Sequence, residues 1–202
     1  MQIVVISPES SDPREVPAME GLFSAGLERY HVRKPSWNEA EMEAWLRALP
    51  QSWRPRLFLH GHHPLVDRLS LGGLHEGDSG ESPPVGSSRS CHGLASLRRH
   101  LGRYECLIFG PVFPSISKRG YGPPVDFPWD ELKGVLKGGR GPAQTRVLAV
   151  GGVTAGGLAR CRELGFDGAA VIGAVWNDPD PVRAFTELFA AARCLEAARH
   201  AA

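Results

Sequence analysis

The chain has 202 residues, a formal net charge of +1, and 42% hydrophobic and 22% charged residues, which is enough for one domain with a substantial core. The near-balanced charge argues against nucleic acid or an anionic membrane as a partner, and no stretch reaches the ~18 apolar residues of a membrane span. The cysteines Cys91, Cys106, Cys161 and Cys194 form no C-x-x-C pair; their scatter suits reduced, mostly buried thiols rather than a disulfide framework.

The opening residues MQIVVISPES lack a charged n-region, so they do not read as a secretory signal, and a cytoplasmic enzyme is expected. Ile3 to Ile6 reads as a buried strand bounded by Ser7-Pro8. Asp12 as N-cap and Pro13 at the first helical position open a helix that runs to about Gly26. Leu27 to Arg33 is a second strand; Ser36 caps a second helix, with Glu39 in the capping-box position and Met42, Trp45, Leu46 and Leu49 at helical spacing.

Residues 56–60 (RLFLH) form a third strand, Pro64 to Leu69 a short helix and Gly73 to His75 a very short fourth strand. The polar stretch GDSGESPP at 77–84 replaces the next helix with a loop. A weakly marked fifth strand lies at 85–89, a helix at 94–101, and a clean sixth strand at 106–109 that leads into a long loop from Val112 to Phe127. Helical pattern returns at 129–136. Residues 146–150 (RVLAV) end in Gly151-Gly152, Thr154 starts a helix through Leu164, and 167–172 form the last strand, ending at Gly173. The final helix, about 180–199, turns Val182, Phe185, Leu188 and Phe189 toward the core.

Strand and helix alternate about eight times, which requires parallel strands with helical crossovers. A closed barrel and an open doubly wound sheet both satisfy this order, but no G-x-G-x-x-G follows the first strand. The expected fold is α/β: a compact (β/α)8 TIM barrel, with helix 4 reduced to a loop and the whole of 1–202 as a single domain. It is short beside the ~250 residues typical of such barrels.

Polar and glycine residues gather after strands, on what would be the catalytic face. Gly151, Gly152 and Gly173 lie between strand and helix, where backbone N–H groups can meet an anion; two tight turns without a ligand is the plainer alternative. Ser115, Ser117 and Lys118 put two hydroxyls and an ammonium on one loop, suited to phosphate oxygens. Arg33 and Lys34 follow a buried strand, as cleft cations or as a solvated turn. His92 is the best acid/base candidate because its pKa range is useful at neutral pH. His60, His62 and His63 look like a metal cluster on paper, but adjacent histidines point apart and no acid or thiol joins them at ligand spacing, so they are assigned no metal.

These residues carry a resemblance that covers nearly the whole chain. His31-Val32-Arg33-Lys34, Ser90-Cys91-His92, the run from Phe109 to Lys118, Ala149-Val150-Gly151-Gly152-Val153 and the last strand from Gly168 to Val175 are similar to the thiamine phosphate synthase and thiazole tautomerase (TenI-like) family. The resemblance implies the same phosphate-binding barrel and an enzyme of thiamine biosynthesis. A synthase joins a pyrimidine diphosphate to a thiazole phosphate; Arg33, Lys34 and Lys118 would hold the pyrophosphate, and Ser115, Ser117, Gly152 and Gly173 the thiazole phosphate. Gly173 stands where the family usually has serine. His31, His60, Ser90, Gly151 and Ile172 complete the implied substrate-contacting set, and His92 and Lys118 the implied catalytic pair.

The sequence departs from the synthase pattern at three further places. His60-Gly61 replaces Asn-Asp, the H-x-G-x-x-D motif closes on Gly80 with only Asp78 nearby as a metal ligand, and His31 replaces a glutamine. A synthase implies Mg²⁺; a tautomerase implies no cofactor and uses His92 to move a proton within a thiazole phosphate. A barrel that binds thiazole or thiamine phosphate without turnover is a third reading. The implied partners are small phosphorylated substrates, with no nucleic acid and no membrane, and with homo-oligomer formation open.

Overall fold

The computed structural model describes residues 1–79, 87–116, 120–138, 140 and 144–200, the side chains of 199 and 200 excepted. Eight parallel strands close into a barrel in chain order: β1 (Gln2–Ile6), β2 (Arg29–Val32), β3 (Leu57–His60), β4 (Gly73–Glu76), β5 (Ser88–Cys91), β6 (Cys106–Phe109), β7 (Arg146–Val150) and β8 (Gly168–Val171). β1 pairs with β8, Gln2 opposite Gly168, which removes the free sheet edge. The helices are α1 (Glu15–Ser24), α2 (Glu39–Ala48), α3 (Pro64–Leu69), α4 (Leu94–His100), α5 (Trp129–Lys137), α6 (Leu158–Leu164), α7 (Gly173–Trp176) and α8 (Pro181–His200). The chain is a (β/α)8 TIM barrel.

Side chains alternate across each strand, so each strand has an outward row and an inward row. The outward set, including Ile3, Val5, Tyr30, Val32, Leu57, Leu59, Leu107, Phe109, Val147 and Val171, packs beneath the helices against Met19, Leu22, Met42, Leu46, Leu132, Leu158 and Phe185. Val4, Ile6, Cys106, Ile108, Leu148 and Ala170 form a second, smaller cluster inside the barrel. The stripe expected on the last helix holds: Phe185 and Leu188 are buried, and Val182 and Phe189 pack against them. Cys91, Cys106 and Cys161 are buried free thiols, while Cys194 is exposed. Burial pushes the Cys91 thiol up to about 11 and those of Cys106 and Cys161 to about 12, so all three stay protonated.

Several expected boundaries move, each for a local reason. The second helix is capped by Asn38, not Ser36: its side chain accepts the Glu41 N–H at 2.9 Å and its N–H donates to the Glu41 carboxylate at 2.8 Å. The capping box therefore sits two residues later than its near-copy. The first helix begins at Glu15, because the Asp12 carboxylate accepts the Arg14 N–H in a turn that precedes it. The fifth strand is Ser88–Cys91 rather than 85–89, because Ser88 to Cys91 is the stretch that pairs with Cys106 to Phe109. The 77–84 loop falls largely outside the described residues; 77–79 contain no helix. The sixth helix is preceded by a 3-10 turn, Ala155–Gly157, and α7 was not expected from the sequence.

Candidate active site

A cavity of about 700 Å³ opens at the C-terminal ends of the strands, the face where barrels of this kind keep their chemistry. Arg33, His60, Ser90, His92, Ser115, Gly151, Gly152, Ile172 and Gly173 all line it, as does Asp78. Ser117 and Lys118 lie outside the described residues.

His92 follows β5. Its Nδ1 lies 2.9 Å from the Gly110 carbonyl oxygen. A carbonyl can only accept, so Nδ1 carries the proton and Nε2 of the neutral ring keeps its lone pair. The backbone N–H of His92 donates to Asp78 Oδ2 at 2.9 Å, and the Ser96 hydroxyl donates to Asp78 Oδ1. Asp78 thus anchors the start of the α4 segment to the loop after β4 and holds the base in place.

Gly151 and Gly152 have φ of 89° and 65°, in the left-handed region. A Cβ on Gly152 would stand 2.1 Å from the Pro114 carbonyl oxygen. Glycine is needed there for the β7 and β6 loops to pack, as well as for backbone to approach a ligand. Gly173 begins α7 beside Ile116 and Asn177 on the opposite wall.

Lys34 departs from its expected role. Its ammonium is buried in the layer behind the barrel, 2.5 Å from Glu15 Oε2, 2.7 Å from the Pro8 oxygen and 3.0 Å from the Ser10 oxygen, and it does not line the cavity. A cation in that apolar layer must be paired, and Glu15, itself bonded by the Tyr30 hydroxyl at 2.8 Å, meets the need. Burial raises the Glu15 pKa, with Lys34 and Tyr30 opposing it. Arg33 does reach the cavity, where it pairs with Glu9.

His31 is also off the cavity wall. It is buried in the barrel, stacked on Phe58 at 5.2 Å between ring centroids. Its Nδ1 is 3.0 Å from His60 Nε2. His60 in turn stacks on His75, with centroids 4.1 Å apart. His75 places Nδ1 2.9 Å from the Ser88 hydroxyl and Nε2 2.9 Å from that of Ser90. Desolvation holds all three imidazoles neutral: His31 and His60 titrate well below the usual histidine range, and His75 falls to about 3. The histidine cluster is therefore His31, His60 and His75. Of the expected trio only His60 takes part; His62 Nε2 bonds the Trp37 carbonyl at 3.2 Å, and His63 precedes α3.

The sequence reading placed His75 at the end of the fourth strand but assigned neither it nor Ser88 to the site, although strand alternation marks both. In β2 to β5, His31, His60, His75, Ser88 and Ser90 occupy inward positions, with Phe58, between outward Tyr30, Leu59, Leu74 and Cys91. Glu9 and Tyr121, also on the cavity wall, carry no comparable signal because both sit on irregular loops.

No family model matches the chain. A curated protein of Geobacter sulfurreducens with a provisional thiamine-phosphate synthase name is 28% identical over 176 residues, spanning 81% of this chain and 80% of the relative. The chain resembles the thiamine phosphate synthases.

Solved thiamine phosphate pyrophosphorylases share its fold. That of Bacteroides thetaiotaomicron has a TM-score of 0.74 at 24% identity, covering 96% of this chain and 98% of that one. That of Pyrococcus furiosus has a TM-score of 0.76 at 20% identity, covering 95% of each. The 3-hexulose-6-phosphate synthase of Salmonella typhimurium also shares the barrel, with a TM-score of 0.64 at 15% identity over 94% of this chain and 99% of that one.

The synthase resemblance implies Mg²⁺, and the residues do not fit it. Magnesium requires near-octahedral oxygen ligands. Among the described residues the cavity wall has two carboxylates, Glu9 and Asp78. Glu9 is paired with Arg33, and Asp78 holds the His92 N–H and the Ser96 hydroxyl. After β3, Gly61 stands where the synthase pattern would put its acid, and His60 beside it offers an imidazole nitrogen rather than an oxygen.

Proposed function

We propose that this chain is an enzyme of thiamine biosynthesis that binds a thiazole phosphate in the cavity and moves a proton within it, as a thiazole tautomerase. The observation that carries the reading is His92: a ring at the cavity wall with Nδ1 committed to a backbone carbonyl. Its Nε2 accepts a proton from one position of the non-aromatic thiazole ring. A proton is then returned at another position, the ring becomes aromatic, and no bond to a second substrate is needed. Gly151, Gly152, Gly173 and Ser115 supply the phosphate subsite, by N–H groups and a hydroxyl that fit phosphate oxygens. Arg33 adds positive charge to the cavity, and Ser117 and Lys118 belong to the same proposed substrate loop.

The synthase is the second reading, favoured by the name of the curated relative. There the thiazole nitrogen would bond to the pyrimidine methylene carbon as its bond to the pyrophosphate oxygen breaks. The poor fit to Mg²⁺ weighs against it, because a pyrophosphate leaving group needs its charge neutralised.

The test is His92→Asn, scored for proton exchange on the thiazole phosphate by NMR and for binding by calorimetry. A general acid/base is worth about 10²–10⁴-fold, so exchange should fall by that factor with affinity nearly unchanged. Exchange absent in the wild type despite binding would leave a non-catalytic binder. Mg²⁺-dependent formation of thiamine phosphate from the pyrimidine diphosphate would establish the synthase instead.

A further inference from the structure

We propose that His31, His60 and His75 form a binding site for a zinc-class divalent cation at the floor of the cavity. One ligand atom from each residue lies within 4.8 Å of the other two. His31 Nδ1 and His60 Nε2 are already 3.0 Å apart; two nitrogens bound 2.0–2.1 Å from a tetrahedral ion would be about 3.3 Å apart.

Strand register produces this convergence. His31, His60 and His75 stand on adjacent strands, with His31 opposite Phe58, two residues before His60, and His60 opposite His75. All three side chains are therefore carried inward on neighbouring strands.

The donor set selects the ion. Imidazole nitrogen suits zinc, copper, nickel and ferrous iron, whereas magnesium and calcium require oxygen. Three protein ligands leave a fourth position, as in catalytic rather than structural zinc sites. His60 and His75 line the cavity while His31 lies beneath them, so that position faces the cavity and suits an anionic oxygen of a small bound molecule. The outer contacts are also built. Ser88, buried, holds His75 Nδ1, the kind of partner that orients a ligating ring. The Ser90 hydroxyl on Nε2 can rotate away, which frees that nitrogen for the ion. The 3.0 Å contact between His31 Nδ1 and His60 Nε2 puts a proton on one of the two; that ring passes it to its other nitrogen when both ligate, so binding needs a tautomer change but no net proton release from the three.

This inference stands on the cluster's geometry and does not require the thiazole reading. The test uses the intact 202-residue chain, stripped with a chelator and checked for folding by circular dichroism. Titration with Zn²⁺ by calorimetry should give one equivalent bound, and Co²⁺ should give the visible absorption of a tetrahedral nitrogen site. Mg²⁺ in excess should not compete. His60→Ala, at the cavity wall, should weaken Zn²⁺ by more than the about 10–100-fold that an outer-shell partner is worth. His31→Gln should do the same, and His63→Ala should leave binding as it was. Failure of folded wild-type protein to take up Zn²⁺ would overturn the proposal, as would unchanged uptake in folded His60→Ala and His31→Gln.

Discussion

The interior of the barrel has two unlike halves. On β1, β6, β7 and β8 the inward side chains are Val4, Ile6, Cys106, Ile108, Leu148 and Ala170. On β2 to β5 they are Phe58, stacked on His31, and the polar set His31, His60, His75, Ser88 and Ser90, tied ring to ring and ring to hydroxyl. The first half gains its stability from apolar area removed from water. The second half gives up that gain, and its polar atoms must satisfy one another. A fold does not need a histidine-lined interior to close. On the proposed function, the polar half and the rim above it carry the chemistry, and the apolar half is the wall against which the substrate is held.

The largest effect that sharpens the contrast lies just behind the polar half. Lys34→Ala should strand Glu15 in the outer layer and cost about 3–5 kcal/mol, read by urea denaturation. Substrate affinity at a folded temperature should stay near wild type; a selective loss of affinity with stability intact would return Lys34 to the ligand site. On the apolar side, Leu148→Ala should cost about 2–5 kcal/mol in the same experiment. A smaller cost would mean that this side collapses easily and is no firmer than the histidine side.

The histidine half should be the one that responds to acid. Its rings have folded pKa values below the ordinary 6.5, so the unfolded chain takes up protons first. Their contribution is fully present above about pH 6.5 and is lost as pH falls toward the folded values, with a slope of up to ~1.4 kcal/mol per pH unit for each ring. Melting curves of metal-stripped protein on the acid side of pH 6.5 should show this slope, and His75→Gln should flatten it. A pH-independent melting temperature would mean that the cluster is not held neutral.

The smallest effect concerns the phosphate wall. A Cβ on Gly173 meets the Asn177 Nδ2 at 3.1 Å and Ile116 Cβ at 3.6 Å, contacts that a small shift of a flexible amide relieves. Gly173→Ser should add the hydroxyl that the resembled family would place there and tighten thiazole phosphate binding by about 0.5–1.5 kcal/mol. Calorimetry showing weaker binding would place the phosphate elsewhere.

The two halves also differ in how well the sequence announces them. Runs such as Val4 to Ile6 and Val147 to Val150 read directly as strands, and Gly151-Gly152 marks where β7 meets the cavity. The barrel order and the rim residues Arg33, Ser90, His92 and Gly173 were legible in this way. Lys34 was not, because its partner Glu15 is 19 residues away in sequence and meets it only when α1 packs on the sheet. The histidine cluster was not, because His62 and His63, neighbours of His60 in sequence, turn aside, while His31 and His75 reach it through strand pairing. Strand β5 was misplaced because its inward serines follow hydrogen bonds to His75 rather than an apolar pattern.

The central claim is that the two halves grip one substrate between them. A crystal structure with thiazole phosphate tests it most directly. The phosphate is expected at Gly151, Gly152 and Gly173, with the thiazole ring within hydrogen-bond reach of His92 Nε2. A phosphate bound away from those glycines, with the ring out of reach of His92, would contradict it.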